Sequence, residues 1–192
     1  QYLAAANAWL RGVERRIKAG LNPAVASVAS GFISRWDVAV AKVVPDGLKN
    51  RLGIAVAGDT YRAYREFLAS DRVLRAANFG ARPQRLLWAS TGAKDPAYRD
   101  VMYVEALIGP ETVNTLPLAT LQAFRHHGQA AARLEDNLKR SEDIMDTLSH
   151  LDIHMERITA RLESEGVQKF QMAFRKMLSA IDQRRLHLAP NQ

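Results

Sequence analysis

Apolar residues recur at helical spacing from the start of the chain. Leu3, Ala6, Leu10, Val13 and Ile17 share one face, and Gly20 ends the pattern as a C-terminal glycine does. After Pro23 the pattern changes to a continuous small apolar run, Ala24-Val25-Ala26-Ser27-Val28-Ala29. Such a run reads as a strand buried on both faces of a parallel sheet. The spacing then predicts a helix from Asp37 to about Val44 and a long amphipathic helix from Leu48 through about Ala77. Arg85-Leu86-Leu87-Trp88-Ala89, after Pro83, reads as a second buried strand. A loop rich in Gly, Asp and Pro leads to a short helix near Tyr98–Leu107, and Thr112-Val113-Asn114 makes a third strand. Pro117 opens another helix at its first turn, where proline is tolerated. Strands alternating with helices imply βαβ units, and hence an α/β sheet or barrel.

From residue 129 onward the pattern is helical only. Ile144, Leu148, Leu151, Met155, Ile158 and Leu162 form an a/d-type seam. Glu165-Gly166 is expected to break it, before Val167, Phe170, Phe174, Met177 and Ile181 start a second apolar face. Three heptads are short for a partner-binding coiled coil, so a helical hairpin packed on its own domain is the expectation. The organisation predicted is a first part over residues 1–128 and a helical extension over 129–192. Gln1 falls inside a helical pattern, and the chain is expected to be a piece of a longer protein.

Composition narrows the chemistry. There is no cysteine, which excludes a disulfide scaffold, a thiolate metal site and a cysteine nucleophile. No apolar run approaches the ~18 residues a membrane span needs, and no membrane partner is expected. The net charge of +7 resides wholly in residues 1–128, with 17 basic and 10 acidic residues; residues 129–192 carry 10 of each. These basic residues are spread singly or in pairs among acidic ones, without the one-sided stripe and stacking aromatics of a nucleic-acid module. A solvated basic surface and an anionic small-molecule site both fit better, and nucleic acid is not expected as a partner.

In parallel α/β folds ligands sit beyond the carboxyl ends of strands. Ser30, Phe32, Ser34 and Arg35 follow the first predicted strand. Ser90, Thr91, Gly92 and Lys94 follow the second, and Thr115 the third. An Arg, a Lys and several hydroxyls on one rim would suit a phosphate or sugar phosphate, although any one such Arg also reads as a surface residue. His150 and His154 have metal-ligand spacing on a helix, but no third ligand is evident and a solvated face is expected. His126-His127 beside Gly128 reads as a helix C-terminus, where a cationic ring is favoured.

Several segments, in order, resemble the transaldolase family. Ser30-Gly31-Phe32-Ile33-Ser34-Arg35 is similar to the motif that closes the sixth strand of that family. Leu87-Trp88-Ala89-Ser90-Thr91-Gly92-Ala93-Lys94-Asp95-Pro96-Ala97-Tyr98 resembles the seventh-strand segment of its long bacterial branch. Ala69-Ser70-Asp71-Arg72, Asp100-Val101-Met102-Tyr103-Val104-Glu105 and Thr112-Val113-Asn114-Thr115-Leu116-Pro117 keep the family's order. Glu165-Gly166-Val167-Gln168-Lys169-Phe170 is similar to its C-terminal helix. Gln129-Ala130-Ala131-Ala132 departs from the Gly-Asp-Thr stretch expected there.

This resemblance implies the C-terminal part of a TIM (β/α)8 barrel, about strands 6 to 8, plus a helical C-terminal extension. It implies a parent enzyme that moves a dihydroxyacetone unit between sugar phosphates through a lysine Schiff base, in the non-oxidative pentose phosphate pathway. The family's lysine lies on the fourth strand, upstream of this chain, so the chain alone is expected to be inactive. No metal and no cofactor are expected. By resemblance, Arg35 with Ser30 would hold the substrate phosphate, Phe32 would wall the site, and Ser90 and Lys94 would add to it. Sugar phosphates are the expected partners, with a homo-oligomer or a fused phosphoglucose isomerase, as in some members of the branch, as further options. A cytoplasmic address is expected. The alternative is a non-catalytic sugar-phosphate-binding or interaction protein built on a half-barrel.

Overall fold

The computed structural model describes residues 1–188. Its elements are α1 (Tyr2–Lys18), β1 (Val28–Phe32), α2 (Ser34–Val40), a 3-10 turn (Asp46–Leu48), α3 (Leu52–Leu68), α4 (Asp71–Asn78) and β2 (Arg85–Ala89). They continue with α5 (Met102–Ala106), β3 (Thr112–Asn114), α6 (Leu118–His127), α7 (Leu134–His150) and α8 (Met155–Leu188). It is an α/β fold in which helices dominate and a small parallel sheet runs β1-β2-β3. The last four residues of the expected extension, 189–192, lie outside the described residues.

Two strands fall where the hydrophobic pattern puts them, β2 and β3. The first does not. β1 begins four residues later than predicted, because Asn22 and Pro23 fold the chain into a turn: Ala24 N–H donates to Asn22 Oδ1 at 2.9 Å and Val25 N–H to the Pro23 carbonyl at 2.7 Å. Ser30 and Phe32 therefore lie inside the strand, not beyond it. Nor is β1 buried on both faces. Ala29, Gly31, Leu86 and Trp88 share the face that meets the helices, since register partners Ala29↔Leu86 and Gly31↔Trp88 point the same way. The opposite face carries Val28, Ser30 and Phe32, and Val28 and Phe32 remain 43% and 37% exposed.

The core forms where α3 crosses the covered face. Ala57, Tyr61 and Tyr64 pack with Ile33, Leu86, Trp88, Tyr103, Leu107 and Leu134. A second cluster joins Ala6, Leu10 and Val13 of α1 to Phe67, Val73 and Ala76. The predicted long helix over 48–77 is in fact the 3-10 turn, α3 and α4. Ser70 sits between the helices in extended backbone, with its hydroxyl donating to the Phe67 carbonyl at 2.6 Å. The helix predicted over 98–107 shortens to α5, because Asp95 turns the preceding segment by accepting from Ala97 N–H at 2.9 Å.

The chain divides into two compact units, Gln1–Asp152 and Ile153–Gln192. α7 belongs to the first: Leu134 and Leu148 are buried, and Arg62 and Arg65 of α3 pair with Glu142 and Glu135 of α7, each at 2.9 Å. The expected continuous seam from Ile144 to Leu162 is interrupted at Leu151–His154, where Asp152 adopts a left-handed backbone (φ 57°). Nor does Glu165-Gly166 end a helix. α8 runs straight through it, with Arg161 and Lys169 at 3.7 and 3.8 Å from Glu165 one turn either side. Such pairs offset part of the glycine's helix penalty.

Candidate functional site

The carboxyl ends of β1 and β2 are knitted together past the last ladder pair. Ile33 N–H donates to the Ala89 carbonyl at 2.9 Å, and Ser34 N–H to the Ser90 carbonyl at 3.1 Å. The hydroxyls of Ser34 and Ser90 lie 2.9 Å apart. Ser90 achieves this in a left-handed backbone (φ 58°), a conformation few non-glycine residues adopt. Its strain is held by the surrounding bonds, a pattern that concentrates at ligand sites. Arg35 follows at the start of α2. Its guanidinium lies over the Phe32 ring, 4.4 Å from the centroid, and makes no ion pair among the described residues. Ser30 lies on the same face of β1 as Phe32, about 7 Å back along the strand, and is exposed. An uncompensated guanidinium braced on an aromatic ring is chemistry for an oxyanion.

α2 is anchored by a residue that no sequence pattern singles out. Asp37 is buried and accepts from Gly53 N–H, with both oxygens at 3.2 Å, and from Tyr103 Oη at 2.7 Å. Burial pushes the Asp37 carboxyl above the ordinary aspartate range, and these donors only partly offset it. Tyr103 is pushed up in turn by its own burial and by the carboxylate. Gly53 is required at this crossing, since a Cβ there would stand 2.6 Å from the Ile33 carbonyl and 2.7 Å from Asp37 Oδ2. Asp37 thus ties α2 to α3 and α5 within one helical turn of Ser34 and Arg35.

With the geometry in place, similarity to known proteins is decisive. The sequence profile of the transaldolase/fructose-6-phosphate aldolase family matches residues 1–181. The chain belongs to that family. It is 41% identical over 182 residues to the transaldolase of Neisseria meningitidis serogroup C strain FAM18, covering 94% of this chain and 52% of that protein. The Saccharopolyspora erythraea transaldolase is 41% identical over 182 residues (91% and 50%), and that of Trichodesmium erythraeum 35% over 207 residues (98% and 54%). The chain spans about half the length of these curated relatives.

Other candidate residues of this transaldolase-family chain are placed less suggestively. Lys94 is exposed in the loop between β2 and α5, and among the described residues no hydrogen bond or ion pair joins it to Ser30, Arg35 or Ser90. Thr91 is fully buried and donates to Asn114 Oδ1 at 2.8 Å, and Thr115 Oγ1 donates to the Trp88 carbonyl at 3.1 Å; both hydroxyls brace the strand ends. None of the three strands contains a lysine. His150 ends α7 and His154 precedes α8, so the turn between them removes the predicted one-face spacing. Among the described residues no three His, Cys, Asp or Glu side chains are grouped to hold a metal ion, and no helix is long and apolar enough to cross a membrane. His127 does close the C-terminal turn of α6, and its Nε2 lies 2.8 Å from Asp100 Oδ1. The segment that departs from the family pattern is anchored by buried Glu105, which accepts from Gln129 N–H at 2.9 Å and pairs with Arg99 and Arg133.

Proposed function

We propose that this chain is the C-terminal half of a transaldolase, supplying the phosphate-holding end of a (β/α)8 barrel. β1, β2 and β3 would be strands 6 to 8, and 129–192 the extension that follows the barrel. The order of the motifs supports the assignment to this half, and the half-length match to the curated transaldolases agrees with it. So does the sheet, whose partly bare face bearing Val28, Ser30 and Phe32 suits the inside of a barrel with other strands opposite. The whole enzyme would transfer a dihydroxyacetone unit from a ketose phosphate to an aldose phosphate in the cytoplasm.

The observation that carries the reading is the unpaired Arg35 guanidinium stacked on Phe32 beside the joined ends of β1 and β2. In use, Arg35 would take two phosphate oxygens through its fork of N–H donors, Ser30 a third, and Phe32 would keep the guanidinium in register. Ser90 would orient Ser34 and lend a hydroxyl at the rim, and Lys94 would add positive charge nearby. A Schiff-base lysine needs a dry, strand-held position to depress its pKa, and the strands here offer none.

Borohydride reduction with fructose 6-phosphate, followed by mass measurement, tests the division of labour. The full-length enzyme should trap a three-carbon adduct on a lysine outside residues 1–192, and this chain alone should trap nothing. An adduct on Lys94 or any other lysine of this chain would overturn the assignment. Light scattering on the same sample should show self-association, because β1 and β3 leave sheet edges and one apolar face uncovered.

A further inference from the structure

Away from the strand ends, a groove of about 470 Å³ opens between the start of α3, the turn before it, α5 and the middle of α7. Its volume lies within the range of small-molecule sites. Ile54, Met102 and Ile144 contribute apolar surface, and Tyr98 adds an aromatic ring. Its charge is one-sided: Lys49, Arg51 and Arg140 face a single carboxylate, Asp143. Lys49 is engaged by Asp46 at 2.7 Å. Arg51 and Arg140, however, make no ion pair among the described residues. The contrast lies along the same α3–α7 seam, with Arg51 at the N-cap of α3. Further along the α3–α7 seam the arginines are neutralised, Arg62 by Asp59 and Glu142, and Arg65 by Glu135. At the groove, by contrast, the charges of Arg51 and Arg140 are left without a counter-ion among the described residues.

We propose that this groove binds a small organic phosphate with a planar apolar body, the chemistry of a nucleoside monophosphate. Arg51 and Arg140 take the phosphate, and Ile54, Met102, Ile144 and Tyr98 cover the flat group. Guanidinium forks suit phosphate oxygens, and the apolar lining favours a ligand with a body to bury. A sugar phosphate lacks such a body, which separates this site from the one at the strand ends. None of the lining residues belongs to the Ser30–Arg35 or Ser90 segments.

The test uses AMP, adenosine, inorganic phosphate and fructose 6-phosphate as probes of the full chain, by calorimetry and by amide NMR shifts. AMP should shift the amides of residues 49–55 and 140–144. Adenosine or phosphate alone should bind at least about tenfold more weakly, a single charge-assisted contact being worth that much. Arg51→Ala and Arg140→Ala should each weaken AMP about tenfold, while Arg35→Ala leaves it unchanged. Both arginines are exposed, and circular dichroism checks that the variants stay folded. Equal binding of AMP and adenosine, shifts confined to the strand ends, loss on Arg35→Ala alone, or no shift at millimolar AMP would each overturn the proposal.

Discussion

Arg35 has an aromatic ring beneath it and no ion-pair partner among the described residues, which is the ground for proposing it as the phosphate holder. In the full-length enzyme Arg35→Ala should lower kcat/KM for phosphorylated sugars by the equivalent of about 2–3 kcal/mol and leave unphosphorylated analogues nearly untouched. Equal losses on both substrates would mean that Arg35 holds the fold and not the phosphate. Asp37 lies two residues further on, and its pH dependence has a definite sign. Because burial raises its folded-state pKa above the unfolded value, its stabilisation is full below the unfolded pKa and is lost as pH rises through the folded one. The stability difference between the native chain and Asp37→Asn, measured by urea unfolding across that window, should therefore shrink with rising pH and then level off. Tyr103→Phe leaves the buried carboxylate one donor short and should cost about 1–3 kcal/mol once Asp37 is ionised.

At the level of elements, the α3–α7 seam depends on small residues that let two backbones approach. A Cβ on Gly58 would collide with the Ser141 hydroxyl, which is itself held by donating to the Asn137 carbonyl at 2.8 Å. Gly58→Ala should destabilise by about 1–3 kcal/mol, as overpacking does. Adding Ser141→Ala should recover at least half of that loss in a double-mutant cycle by chemical denaturation. Strict additivity would show that the helices simply move apart.

For the whole molecule, the boundary that matters is the one after α7. Leu134 is fully buried in the main cluster, alongside Tyr61, Trp88 and Leu107, and it sits close enough to Gly109 that a side chain there would clash. A chain ending at Asp152 keeps that core intact and should retain a cooperative thermal transition. One ending at Gly128, the boundary that the hydrophobic pattern alone suggests, exposes Tyr61 and Leu107 and should lose it. Circular dichroism melts of the two truncations decide between them.

Local pattern alone determined β2, β3 and the limits of α1 and α6, because burial periodicity, Pro83, Pro117 and the residues closing the helices are short-range signals. Motif order was equally legible, and it identified the family, since residue identity survives without coordinates. Where β1 starts was decided by a turn at Asn22–Pro23 that competes with an equally strand-like run. The breaks at Ser70, between α3 and α4, and at Asp152, which follows α7 in left-handed backbone, were not legible in the hydrophobic pattern either. Asp37 could not be read at all: a lone Asp on a helix means solvent until Gly53 and Tyr103, 16 and 66 residues away, close over it. The same holds for the ends of the sheet. Ser30, Phe32 and Arg35 were visible as a string, but their grouping depends on the pleat, which puts Ser30 and Phe32 on one face, and on the bonds from Ile33 and Ser34 to β2, which turn Arg35 back over the ring.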